Sequence, residues 1–164
     1  MEVSQMVEIS QNQKAELAKA GEINLENREI SEFSQIDIPD ITNKINLTNN
    51  FIADFTGFRP DLRLDTLILD NNPIVTFRNF PEIHQIRHFS AIHAPITLLP
   101  NYRWLVLIAL GNSLETIDGT MIQPAERAAV SGEKLCELFS RKVNFTISQS
   151  EAEQTRNRLA NALR

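Results

Sequence analysis

Apolar side chains recur along the chain in short alternating bursts. In the stretch LDTLILDNNPIVTF, positions 64–77, Leu67 and Leu69 alternate with outward positions, the chain halts at Asp70-Asn71-Asn72-Pro73, and Ile74 and Phe77 follow. Alternation of this kind predicts a short strand with Leu67 and Leu69 facing inward. The same arrangement returns at a constant spacing of 22 residues. Ile45, Leu47, Asn50, Ile52 and Phe55 fill matching slots, and so do Ile23, Leu25, Arg28, Ile30 and Phe33. Further on, Phe89, Ala91, Ala94, Ile96 and Leu99 fill them again.

Four registers at one spacing form the leucine-rich repeat pattern, L-x-x-L-x-L-x-x-N-x-L. Each slot has a physical reason. The alternating pair lies on the inner face of a short strand, and the asparagine amide satisfies backbone groups exposed where the chain turns. The later apolar residues close the far side of a core that only stacking can bury. Arg28 and Ala94 depart from the asparagine rule. Arg28 fits an atypical terminal rung, and Ala94 predicts a locally different turn or a water in place of the amide.

The ends read as helical. Ser10 and Gln13 before KAELAKAG predict a helix with a capping box, closed by Gly21. The apolar run 101–110 predicts a helix ended by Gly111, after which 114–119 restart a strand, 28 residues beyond the fourth register. Its outward positions are Thr116, Asp118 and Thr120. Pro124 starts a further helix, and Ser150 with Glu153 opens a last one. The expected fold is a right-handed α/β solenoid of four full repeats plus a cap rung, with helical N- and C-terminal caps. Residues 1–129 form the repeat domain and 130–164 a helical tail.

Composition narrows the function. At 164 residues with 42% hydrophobic and 23% charged side chains, the chain has the make-up of one ordinary globular domain. A formal charge of -5 argues against a surface that itself grips nucleic acid. The single cysteine, Cys136, suits a reducing compartment. The N-terminus MEVSQMVEIS lacks the basic start and apolar core of a signal peptide, and no apolar run approaches the roughly 18 residues of a membrane span.

Catalytic chemistry finds no support. His84 and His88 have the i, i+4 spacing that suits a metal on a helix, but the register puts His88 on a strand, so no metal site is expected. No G-x-x-x-x-G-K-[ST] loop is present, and Cys136 has no histidine nearby in sequence to act as a base. The expectation is a non-enzyme without cofactor.

The run Tyr102-Arg103, Leu114-x-x-Ile117-Asp118-Gly119 and Glu126-Arg127 resembles the C-terminal cap, Y-R…L-x-x-L-D-G…E-R, of a family of intracellular leucine-rich repeat proteins. Within that family the chain is most similar to the A-prime proteins of the U2 small nuclear ribonucleoprotein. Ile45-Asn46-Leu47-Thr48-Asn49-Asn50, Ser90, and Pro95-Ile96-Thr97 carry that likeness. It implies a nuclear splicing component that holds a helix of an RNA-recognition-motif protein on its concave face, with RNA reached mostly through that partner. Related families imply instead a cytoplasmic or cytoskeletal scaffold for a phosphatase or for axonemal and centrosomal proteins. The A-prime proteins carry one more full rung than is found here, which shortens the expected face.

On such a solenoid the outward strand positions line the concave face. The candidate partner-binding residues are Asn24, Glu26, Lys44, Asn46, Thr48, Ile68, Asp70, Ser90, Ile92 and Asp118. Most are polar; Ile68 and Ile92 are not, and an apolar centre inside a polar rim is the pattern of an interface. The acidic residues around it suit a partner helix with basic side chains. Lys44, Arg63 and Arg87 are the candidate RNA-phosphate contacts at one edge.

Overall fold

A computed structural model of the chain describes residues 21–131, except positions 60, 78–79, 81–84, 100–101 and 112. The expected N-terminal helix, the tail beyond 131, His84 and Cys136 lie outside the described residues. The alternating stretches form β1 (Glu22–Asn24), β2 (Lys44–Asn46), β3 (Thr66–Ile68) and β4 (His88–Ser90), followed by β5 (Thr116–Ile117) and β6 (Thr120–Met121). They make one sheet in sequence order, the first five strands parallel and the last antiparallel. Its register follows the repeat spacing, with Ile23 opposite Ile45, Ile45 opposite Leu67, and Leu67 opposite Phe89. The parallel strand series is that of a leucine-rich-repeat-like solenoid.

The inward slots carry the core. Leu25, Ile45, Leu47, Leu67, Leu69 and Ile117 are fully buried, and Ile23 and Phe89 nearly so. Behind them stands a column of rings: Phe33 stacks on Phe55 at 5.8 Å and Phe55 on Phe77 at 5.7 Å. Phe58 and Phe80 form a second column, each meeting Phe55 edge-on. Aromatic pairs at these separations add specific geometry to the burial itself.

The doubled asparagines divide two tasks. Asn27, Asn49, Asn71 and, one rung on, His93 all have positive φ, between 55° and 66°, a conformation that Asn and His adopt more readily than most residues. The second of each pair is buried. The Asn50 amide donates to the carbonyls of Leu25 (2.9 Å) and Leu47 (2.8 Å) and accepts from the N–H groups of Arg28 and Ile30. Asn72 repeats this one rung later on Leu47, Leu69 and Ile52. Where Ala94 replaces the amide, a 3-10 turn begins at Pro95, and no such turn follows Asn50 or Asn72. The expected local change is therefore present.

Past the fourth strand the chain forms helix α1 (Tyr102–Leu110), then β5 and β6, then helix α2 (Pro124–Ser131). Gly111, at φ 80°, ends α1 with its N–H donating to the Leu107 carbonyl at 2.8 Å. One expectation is corrected here. Thr120 does not continue the outward column beside Ile92, because the chain reverses at Asp118-Gly119 and Thr120 pairs antiparallel with Ile117. Both turn residues have positive φ, 51° and 78°, the signature of a two-residue hairpin turn that Asp-Gly favours. Among the described residues no helix is long and apolar enough to cross a membrane.

Candidate protein-binding face

Parallel pairing in register lines up the outward side chains. One column runs Glu22, Lys44, Thr66, His88 and Thr116; the next runs Asn24, Asn46, Ile68 and Ser90. Just beyond the strands Glu26, Thr48, Asp70 and Ile92 continue the face, joined by backbone bonds from Asn27 to Thr48, Asn49 to Asp70 and Asn71 to Ile92. The inner pair of each rung is buried while these outward residues are half-buried or exposed.

The polar members hold one another in place. Asn46 donates from Nδ2 to Glu26 at 2.5 Å, and its Oδ1 accepts from the Thr48 backbone N–H and hydroxyl. Asp70 accepts from the Ser90 hydroxyl at 2.5 Å and the Ile92 N–H at 2.9 Å. Ile68 stands between these two networks. It is half-buried, and Ile92 is 38% exposed. A fixed polar frame around an apolar position lowers the entropy lost when a partner docks.

Charge along the face is uneven. Glu22 faces Lys44 at 3.6 Å, so the first column is close to neutral, and His88 contributes a ring nitrogen 2.8 Å from the Thr116 hydroxyl. Glu26, Asp70 and Asp118 lie toward the other ends of the strands, leaving that side acidic.

Asp118 has a second engagement. One oxygen accepts from the Ala91 N–H at 2.7 Å, where the preceding rungs offer a backbone carbonyl to Leu25, Leu47 and Leu69. The Tyr102 hydroxyl donates to the same oxygen at 3.3 Å. Burial pushes the carboxyl above its ordinary range, and the two hydrogen bonds pull partly against that. Burial likewise raises Tyr102, with the Asp118 charge adding to it.

The rest of the C-terminal sequence motif is one connected assembly. Arg103 pairs with Glu126 at 2.6 Å and also donates to the carbonyls of Ile117 and Met121. Arg127 donates to the Leu114 carbonyl, and Glu126 accepts from the Gln123 N–H ahead of α2. Hydrogen bonding to Arg103 holds the Glu126 carboxyl below its ordinary range. Tyr102, Arg103, Asp118, Glu126 and Arg127 thus bind α1, the β5–β6 hairpin and α2 together at the end of the sheet.

The three cationic edge residues separate. Lys44 stays in the first strand column beside Glu22. Arg63 and Arg87 instead meet in a cleft of about 640 Å³ on the loops that enter β3, β4 and β5, where Ser113 and Arg127 join them. Neither Ser113 nor Arg127 stood out in the sequence as part of a site. Arg127 was visible only as half of the E-R motif. The described residues contain no group of three or more His, Cys, Asp or Glu side chains placed to hold a metal.

No protein-family model matches the chain, and comparison with curated proteins finds no relative. Among solved structures, the chain is similar to the Drosophila melanogaster SNF/U2A' complex, at 18% identity and a TM-score of 0.45. That match covers 73% of this chain and 87% of the other. At such distance no family is assigned from it.

Proposed function

We propose that the protein is a non-catalytic scaffold whose outward sheet face captures an amphipathic helix of a protein partner. The observation that carries this reading is Ile68, an isoleucine on the outward face framed by the fixed Glu26–Asn46–Thr48 and Asp70–Ser90–Ile92 networks. Apolar side chains of the helix pack on Ile68 and Ile92, while its basic side chains face Glu26, Asp70 and the remaining exposure of Asp118. An interface with a small apolar centre, a polar rim and complementary charge has the ordinary anatomy of a specific contact.

In its finer form the reading is a U2 A-prime-like splicing component of the nucleus. The solenoid would hold four full repeats and a cap rung, with helices at both ends, and the partner would be an RNA-recognition-motif protein. The Y-R…L-D-G…E-R motif supports it, since Tyr102 bonds to Asp118, Arg103 to Glu126 and Arg127 to the Leu114 carbonyl. The charge of -5 fits a chain that reaches RNA through a more basic partner.

Affinity capture from the source cell tests the reading. Recovery of an RNA-recognition-motif protein together with U2 RNA is the expected result. Recovery of phosphatase or dynein components without U2 RNA would replace the splicing assignment with the scaffold role of the related families.

A further inference from the structure

The docking face and the end of the chain have opposite characters. On the face, Asp70 takes its hydrogen bonds from Ser90 and Ile92 on one oxygen, and Asp118 takes those from Ala91 and Tyr102 on one oxygen. The second oxygen of each accepts no hydrogen bond from the described residues. Ile68 and Ile92 stand beside this acidic border. Residues 132–164 lie outside the described residues, and their composition is basic: six Lys and Arg against four Asp and Glu, in a chain of formal charge -5. Within them, Ala152, Leu159 and Leu163 recur at helical spacing. Arg156 falls on the same stripe of that pattern, and Arg158 and Arg164 fall on its flanks.

We infer that the segment 150–163 docks as a helix on the chain's own outward face and keeps it covered until a partner displaces it. The inference rests on the reading of that face as a helix-binding surface. The segment has the chemistry the face selects: two leucines one turn apart for Ile68 and Ile92, and Arg156 within a turn of Leu159 for Asp70. The tether is long enough. Helix α2 is tied to the last rung through Arg103–Glu126 and Arg127–Leu114, and Ile68 lies two strands back, about 10 Å at the usual strand spacing. Helix α2 itself adds at most about 12 Å, whereas the 18 residues from 132 to 149 span about 27 Å even where helical throughout. Tethering makes the docking intramolecular, with an effective concentration on the order of millimolar. A modest match therefore competes with a free partner.

The experiment compares the full chain with its Leu159→Asp/Leu163→Asp double variant, using a fluorescent synthetic peptide of residues 150–164 as probe. The variant, its face vacated, should bind the peptide at least tenfold more tightly than wild type, whose own tail competes. Adding Ile68→Asp to the variant should abolish that binding. In methyl NMR, the Ile68 and Ile92 signals should differ between wild type and the double variant, by an amount independent of protein concentration. Equal peptide affinity for the two chains, no peptide binding to either, or binding that survives Ile68→Asp would overturn the inference. A difference that grows with protein concentration would also overturn it, by assigning the occupant to the tail of a second copy. The two readings fail separately. Partner capture that is lost in Ile68→Asp, with the double variant behaving as wild type, removes only the tail contact; capture that survives Ile68→Asp removes the docking face itself.

Discussion

At the scale of single residues, the doubled asparagines show how far a sequence pattern reaches. The repeat spacing alone identified Asn50 and Asn72 as buried amides. It did not assign their neighbours Asn49 and Asn71, because a left-handed backbone leaves no mark in hydrophobic periodicity. The two positions of a pair should respond differently. Asn72→Ala should cost about 1–3 kcal/mol, since it orphans buried backbone groups of two rungs. Asn71→Gly should be nearly neutral and Asn71→Val clearly destabilising, because only the second opposes a positive φ. Leu69→Ala, a truncation in a fully buried slot, should cost about 2–5 kcal/mol. Urea unfolding of the four variants would check the ordering.

At the scale of elements, the end of the sheet was legible in outline and misread in one detail. Helix α1, its glycine stop and the Pro124 start all followed from local signals. The strand restart at Thr116 follows from the repeat as well, but the repeat template predicts a continuing strand over Asp118-Gly119, where the local hairpin signal prevails and the chain reverses. What Asp118 does could not be read at all, since its partners Ala91 and Tyr102 lie 27 and 16 residues away. Two carboxyls at this end oppose each other in pH dependence. Asp118 is raised by burial, so its contribution is fully present below the ordinary carboxylate range and is lost as pH rises through its raised value. Glu126 is lowered by Arg103, so its contribution is present above the ordinary range and is lost as pH falls through its lowered value. Asp118→Asn keeps an acceptor for Ala91 and Tyr102 while removing the buried charge. It should therefore raise the Tm at pH 7 relative to wild type, with the difference shrinking toward pH 4. Glu126→Gln should lower stability at pH 7 and flatten the loss on acidification. A double-mutant cycle of Arg103→Ala and Glu126→Ala should give a coupling of about 0.5–3 kcal/mol; additivity would mean that the half-buried pair does not link α1 to α2.

At the scale of the whole molecule, stacked rungs create a continuous outward face that no single rung possesses. Its residues were readable in advance because strand register and repeat spacing coincide, so every 22nd outward position falls in one column. The cleft was not readable. It depends on loops and on α2 converging, and neither convergence has a period. Nor does the sequence specify the partner, because an apolar centre with an acidic border defines a class of helices and not one protein. The central claim is that Ile68 organises a docking face without holding up the fold. The most direct measurement compares wild type and Ile68→Asp as purified baits in partner capture, with the thermal unfolding of both recorded in parallel. Loss of the partner with a Tm little changed is the predicted result; undiminished capture, or a collapse of the fold, would contradict it.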